Sequence, residues 1–177
     1  MIEIKPVENV NATVTIPGSK SYTNRALITS LLANGESVMK NALLSEDTRV
    51  MISCLGELGI PVSVIEEENT IRITGCEGKI PVDSASLFAC NAGTVVRFMT
   101  AALTLGDGKY KIDGIERMRQ RPIQQLIDAL NQLGADVLSK EGTGCPPVSP
   151  PHNLLRLRHS LQERSRHLHQ FHQDTKS

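Results

Sequence analysis

The chain repeats one pattern, at an offset of 72 to 75 residues, and that repetition limits the fold more than any other feature. The first copy follows an alternating apolar run over 10–16 (Val10, Ala12, Val14, Ile16), read as a strand. Pro17-Gly18-Ser19-Lys20-Ser21 then opens an apolar helical run with Ala26, Leu27, Leu31 and Leu32. Asn34-Gly35-Glu36 leads into a strand-like run to Leu44, then the charged patch Ser45-Glu46-Asp47-Thr48-Arg49, a helix ending at Leu58-Gly59 and a strand over 60–65. The second copy opens at Asn91-Ala92-Gly93-Thr94-Val95-Val96-Arg97, with Phe98, Met99, Ala101, Ala102, Leu103 and Leu105 in its apolar run. Asp107-Gly108-Lys109, a strand over 110–115, the basic patch Arg117–Arg121, a helix ending at Leu133-Gly134 and a strand over 135–138 follow. Each copy therefore reads helix, strand, helix, strand, with glycine stopping the second helix. Met51, Leu55 and Leu58 share one helical face, as do Ile123, Leu126, Ile127, Leu130 and Leu133, and these are core positions. Pro122 is expected at a helix start, where its missing N–H costs nothing. Thr70 to Thr74 alternates as a short strand closing the first copy.

Both helix starts suit an anion. A strand turning through Pro-Gly into a helix leaves free N–H groups at the positive end of the helix dipole. Lys20 and Ser21 fall in the first turn, and Arg25 lies one turn on. Gly-Ser-Lys-Ser lacks the spacing of a P-loop, so a solvated helix start accounts equally well for one copy. The second copy, with Gly93, Thr94 and Arg97, favours a phosphate or carboxylate ligand.

The formal net charge is zero, which speaks against a nucleic-acid or membrane-surface partner. No stretch reads as a signal peptide or a transmembrane run, and the expected compartment is the cytoplasm. Cys54, Cys76, Cys90 and Cys145 have no metal-ligand spacing; Cys54 falls in an apolar helical run and is expected as a buried small hydrophobe. Composition breaks near residue 148. All 13 glycines precede the break and all 5 histidines follow it. The tail over 149–177 places Leu154, Leu157, Leu161 and Leu168 at helical spacing behind Asn153, a candidate N-cap. It reads either as a basic amphipathic helix for a partner or as unselected sequence from a shifted reading frame. His167, His169 and His172 lack the pattern of a metal site.

Pro17-Gly18-Ser19-Lys20-Ser21 with Asn24-Arg25-Ala26 resembles the N-terminal signature of the 5-enolpyruvylshikimate-3-phosphate synthase family. Asn91-Ala92-Gly93-Thr94 with Arg97 resembles its second signature, and Arg121-Pro122-Ile123 with Leu126, Ala129, Leu130 and Gly134-Ala135 its third. The likeness covers about residues 1–148. It implies an α+β fold of repeated βαβαββ units (an inside-out α/β barrel), of which two are present, over about 17–80 and 81–148. The partial domain spans 17–148, and the segment 1–16 belongs with the other domain of the family's enzymes. The implied reaction moves the enolpyruvyl group of phosphoenolpyruvate to the 5-hydroxyl of shikimate 3-phosphate, releasing phosphate, with no metal or organic cofactor. By resemblance, Lys20, Ser21 and Arg25 contact shikimate 3-phosphate. Lys20 also faces phosphoenolpyruvate, as the one residue here with an implied catalytic role. Gly93 lies where backbone nears the phosphoenolpyruvate phosphate, and Arg121 anchors that ligand. Asp47, Asn91, Thr94 and Arg97 support the site.

The family's acid–base carboxylates and its Ser-Ser-Gln phosphate segment have no match in this chain, so little or no turnover is expected from it alone. Two other readings remain. The sister family that transfers enolpyruvyl to UDP-N-acetylglucosamine shares fold and donor, but its first helix start differs from the Ser-Lys-Ser text. A non-catalytic anion-binding scaffold with a partner-binding tail helix is the other. Uncovered apolar faces and strand edges predict self-association.

Overall fold

A computed structural model describes residues 9–150. The expectations placed on the tail helix and its histidines lie outside the described residues, as do positions 1–8. The first repeat comprises α1 (Lys20–Leu32), β1 (Asn34–Met39), α2 (Glu46–Glu57), β2 (Val62–Ile65) and β3 (Thr70–Cys76). The second comprises β4 (Ser84–Phe88), α3 (Gly93–Leu103), β5 (Lys109–Asp113), a 3-10 turn over Met118–Gln120, α4 (Gln124–Gln132), β6 (Leu138–Ser139) and β7 (Val148–Ser149).

The duplication survives in the sheets. The first sheet has the order β1-β3-β2, with antiparallel neighbours. The second has the order β4-β5-β7-β6. Its β5, β7 and β6 repeat the antiparallel arrangement, and β4 adds parallel to β5 across the α3 crossover. Sequence patterning does not announce β4 or β7. Ser149, placed in the tail by composition, pairs in β7, and its hydroxyl donates to the Tyr110 carbonyl at 2.9 Å.

The helices form for the reasons their periodicity gives. In α1, Thr23, Asn24, Leu27, Ser30 and Leu31 are buried at three- and four-residue spacing. Met51, Leu55 and Leu58 are likewise buried. Helix α1 packs on β3, α3 packs on β5, and α2 touches β2 and β4, so the helices share one core between the sheets. Gly75 allows the close contact of β3 with α1: a Cβ there would collide with the carbonyl oxygens of Ala33 and Ser30. Gly59 and Gly134, at φ +77 and +94, carry the chain out of α2 and α4 in the left-handed conformation expected of a helix stop.

Several boundaries differ from the expectation. The strand expected over 10–16 does not form; residues 9–19 contain no strand, and Val10, Val14 and Ile16 are all more than three-quarters exposed. Alternation supplies an apolar face, but no element here covers it. Strand β1 stops at Met39 because Asn41 turns at φ +54 and the Ala42 N–H bonds to the Asn69 carbonyl. The strand expected over 135–138 shrinks because the Asn131 side chain takes both backbone groups of Val137, at 2.7 and 3.0 Å. Pro122 precedes the N-cap Ile123 of α4, and its carbonyl accepts from Arg97 Nη2 at 3.1 Å.

Cys54 is buried, and loss of hydration on burial pushes its thiol up to about 12, with Glu57 and Cys90 adding to the rise. An unfolded thiol ionises near about 8.5. The folded state thus holds this proton more tightly, so the thiol's contribution to stability is complete below that pH and declines as pH rises toward the folded value. Iodoacetamide at pH 8 should leave Cys54 unlabelled in the native chain and modify it in urea; native labelling as fast as at the partly exposed Cys76, Cys90 and Cys145 would contradict this burial.

Candidate functional site

The start of α1 is fixed by hydroxyl groups. Ser19 caps the helix by accepting from the Tyr22 N–H at 3.4 Å. Thr23 Oγ1 donates to the Ser19 carbonyl at 2.9 Å and accepts from the Leu43 N–H at 3.0 Å. The Leu43 carbonyl accepts from Thr48 Oγ1, on α2, at 2.7 Å. One residue between the helices thus bonds to both, and the two helix starts are drawn together. Lys20, the first residue of α1, consequently meets Asp47 on α2, Nζ to Oδ2 at 3.1 Å. About half of the Lys20 side chain is exposed, and such pairs contribute about 0–1 kcal/mol. A doubly charged ligand can compete for this ammonium.

The start of α3 is built differently. Its N-cap Ala92 offers no side-chain acceptor, so the Thr94 and Val95 N–H groups open the helix without a side-chain cap. Arg97 folds back over this end, Nη1 to the Gly93 carbonyl at 3.1 Å and Nη2 to the Pro122 carbonyl. Arg121 Nη1 donates to the Asn91 carbonyl at 3.3 Å. Gly93 makes room for both: a Cβ there would lie 2.9 Å from Arg121 Nη1 and 3.1 Å from Arg97 Nη1.

The two starts meet in one cleft of about 250 Å³, lined by Ser21 and Arg25 from α1 and by Thr94, Arg97 and Phe98 from α3. Ser21 and Thr94 are the second residues of their helices, and Arg25 and Phe98 the sixth. The repeats thus contribute equivalent positions to opposite walls. Of the residues singled out from sequence, Ser21, Arg25, Thr94 and Arg97 share this cleft. Gly93, Asn91 and Arg121 cluster around Arg97 at one end of α3. Lys20 and Asp47 are not among the cleft-lining residues and form their own pair.

The charges are uneven. Among the described residues, Arg25, Arg97 and Arg121 form no ion pair with a carboxylate. Asn24 is buried between Ser21 and Arg25 in sequence and, among the described residues, neither of its amide atoms has a hydrogen-bond partner, nor does the buried Asn91 Oδ1. Unmet polar capacity and uncompensated positive charge therefore gather at these two helix starts. Backbone N–H, hydroxyl and guanidinium donors in this arrangement are chemically suited to phosphate or carboxylate groups. Among the described residues, no group of His, Cys, Asp and Glu could hold a metal ion, and no helix is long and apolar enough to cross a membrane.

Phe98 also lines the cleft, although its sequence context is an apolar run. Its signal is positional: Thr94, Arg97 and Phe98 fall at i, i+3 and i+4 on one helical face.

These features describe an α+β fold of duplicated units with two cationic helix starts on one cleft. The family model of EPSP synthase (3-phosphoshikimate 1-carboxyvinyltransferase) matches residues 4–161, and the chain belongs to this family. A 3-phosphoshikimate 1-carboxyvinyltransferase of Ralstonia pickettii is 44% identical over 148 residues, 84% of this chain and 34% of that protein. The enzyme of the same name from Shewanella amazonensis is 44% identical over 149 residues, 84% of this chain and 35% of that protein. The chain thus spans about a third of the length of the curated relatives it matches. Solved structures of EPSP synthase from Acinetobacter baumannii superpose with a TM-score of 0.71 at 23% identity, over 77% of this chain and 31% of theirs, which shows the enolpyruvyl transferase fold.

Gly93→Ala should push both guanidiniums off the start of α3. A charge-assisted hydrogen bond contributes about 1.5–3 kcal/mol, so inorganic phosphate should bind roughly 10- to 100-fold more weakly by calorimetric titration. The urea midpoint should hold or rise, since Ala favours helix over Gly. Unchanged phosphate affinity would contradict the packing described.

Proposed function

We propose that this chain supplies the first part of the substrate-binding machinery for enolpyruvyl transfer from phosphoenolpyruvate to the 5-hydroxyl of shikimate 3-phosphate, with release of phosphate. The supporting observation is the cleft between α1 and α3, in which two helix starts oppose each other and their guanidinium groups meet no carboxylate among the described residues. Ser21 and Arg25 take shikimate 3-phosphate. Gly93 and Arg121 take phosphoenolpyruvate, whose phosphate approaches the bare amides of α3. Lys20 leaves Asp47 to lie between the two ligands. Asp47, Asn91, Thr94 and Arg97 keep these groups in place.

The division of labour follows from the chemistry. Protonation of the phosphoenolpyruvate methylene carbon creates cationic character at C2, the hydroxyl attacks there as it gives up its proton, and the tetrahedral intermediate loses phosphate together with a methyl proton, which restores the double bond. The residues described here bind, orient and neutralise the anionic groups through that sequence. The proton donor and acceptor belong to parts of the relatives that this chain does not span, so the chain by itself binds ligand and turns over poorly. The reading fits a biosynthetic enzyme of the cytoplasm. Exposed Val10, Val14 and Ile16 favour self-association of the chain on its own.

Titration of the labelled chain with shikimate 3-phosphate should shift the amide signals of Ser21 and Thr94 together. A coupled phosphate-release assay should give a rate at least about a hundredfold below that of a full-length relative, as expected when several charged contacts of about 1.5–3 kcal/mol each are missing. Unmoved signals at saturating ligand would overturn the binding assignment. A rate matching the full-length enzyme would overturn the division of labour.

A further inference from the structure

We propose that Asp113 is a positioning residue that selects which arginine of the 117–121 segment stays free for ligand. This rests on the reading above, in which Arg121 meets phosphoenolpyruvate.

Three arginines, Arg117, Arg119 and Arg121, alternate along this segment. Only one of them meets a carboxylate among the described residues. Asp113, at the end of β5 and 7% exposed, accepts from Arg119 through both oxygens: Nε to Oδ1 at 3.0 Å and Nη2 to Oδ2 at 2.7 Å. This is the two-pronged fit between a guanidinium and a carboxylate, stronger and more directional than a single contact. The Gly114 N–H donates to Oδ1 at 2.8 Å, and Lys111 Nζ lies 3.3 Å from Oδ2. Burial pushes the Asp113 carboxyl up, but the bonds from Arg119, Gly114 and Lys111 outweigh it and hold the group below the ordinary carboxylate value. It is therefore a charged clamp at neutral pH.

The clamp acts on the backbone that carries Arg121. The Asp113 carbonyl accepts from the Ala89 N–H at 2.8 Å, and the Ile115 N–H donates to the Cys90 carbonyl at 3.1 Å. The end of β5 is thus fastened to the strand that leads directly into Asn91 and Gly93. A Cβ at Gly114 would collide with the Cys90 carbonyl oxygen, so glycine is needed for this approach. From Ile115 the chain turns tightly: its carbonyl accepts from the Met118 N–H at 2.8 Å, and the Met118 carbonyl accepts from the Arg121 N–H at 3.0 Å. Met118 is buried on one side of the turn, and Arg119 is held by Asp113. With those two residues fixed, Arg121 is delivered to the Asn91 carbonyl and the bare start of α3, where its charge stays uncompensated. Neutralising Asp113 frees Arg119 and loosens the turn two residues before Arg121.

The test uses the 177-residue chain, with Asp113→Asn and Arg119→Lys made separately. Arg119→Lys keeps the positive charge and loses the fork. The first readout needs no ligand: the heteronuclear NOE of the Arg121 Nε–Hε signal. It should fall clearly in both variants, while amide signals in α1 and α2 stay in place. The second readout compares two titrations. The dissociation constant for phosphoenolpyruvate should rise about tenfold, and the response of Ser21 and Arg25 to shikimate 3-phosphate should be unchanged, a selectivity that general destabilisation would not produce. If Asp113→Asn fails to fold, Arg119→Lys decides alone, since it leaves the carboxylate beside Lys111. An unchanged Arg121 NOE in the folded variants would overturn the proposal, as would equal weakening of both ligands. If the parent chain does not respond to phosphoenolpyruvate, the functional reading fails, and the ligand-free NOE still decides whether Asp113 positions Arg121.

Discussion

Among the described residues, Arg97 and Arg121 bond to carbonyl oxygens, those of Gly93 and Asn91 at the start of α3 and that of Pro122 ahead of α4, and the rest of the site depends on that choice of partner. A guanidinium bonded to a carboxylate has its charge neutralised locally. One bonded to a carbonyl has its geometry fixed and keeps its charge for a ligand. Two such groups sit beside a helix end that no side chain caps, so positive potential accumulates there. Gly93 is the condition for this arrangement, because any side chain at that position would occupy the space both guanidiniums use.

The repeats reach similar ends by different means. Helix α1 is capped by Ser19 and begins with Lys20, whose ammonium is lightly held by Asp47. Helix α3 has no side-chain cap and begins with Gly93, and its cations arrive from Arg97 and from the distant Arg121. The α1 wall therefore offers the Ser21 hydroxyl and the Arg25 guanidinium, with Lys20 outside the cleft lining, and the α3 wall offers backbone amides and a guanidinium fixed on carbonyl oxygens. Duplication sets the two walls facing each other at equivalent helical positions, and divergence at the first residue of each helix gives them different chemistry.

The helices were legible in the sequence because their apolar spacing and glycine stops are local. Leu27, Leu31, Met51, Leu55 and Leu58 are buried as that spacing requires. Strand ends were less legible because they are set by side chains from elsewhere, as when Asn131 takes both backbone groups of Val137. The run over 10–16 has a strand's alternation, yet alternation cannot supply the surface that would cover it. In the site, Ser21, Arg25, Thr94 and Arg97 could be picked out because each follows a helix start by a fixed number of residues. Which cations would remain uncompensated could not be read, since the pairing of Arg119 with Asp113, and of Lys20 with Asp47, is decided by tertiary contacts. Phe98, an aromatic residue in an apolar run, reads as core until the opposing helix is in place.

The most direct test of the whole account is crystallographic. A crystal of the chain soaked in tungstate, a heavy phosphate analogue, would give an anomalous signal wherever a tetrahedral anion is held. The account predicts one dominant peak between α1 and α3, within hydrogen-bonding distance of the Thr94 amide and the Arg97 or Arg121 guanidinium. An empty cleft in crystals that hold tungstate strongly elsewhere would contradict it.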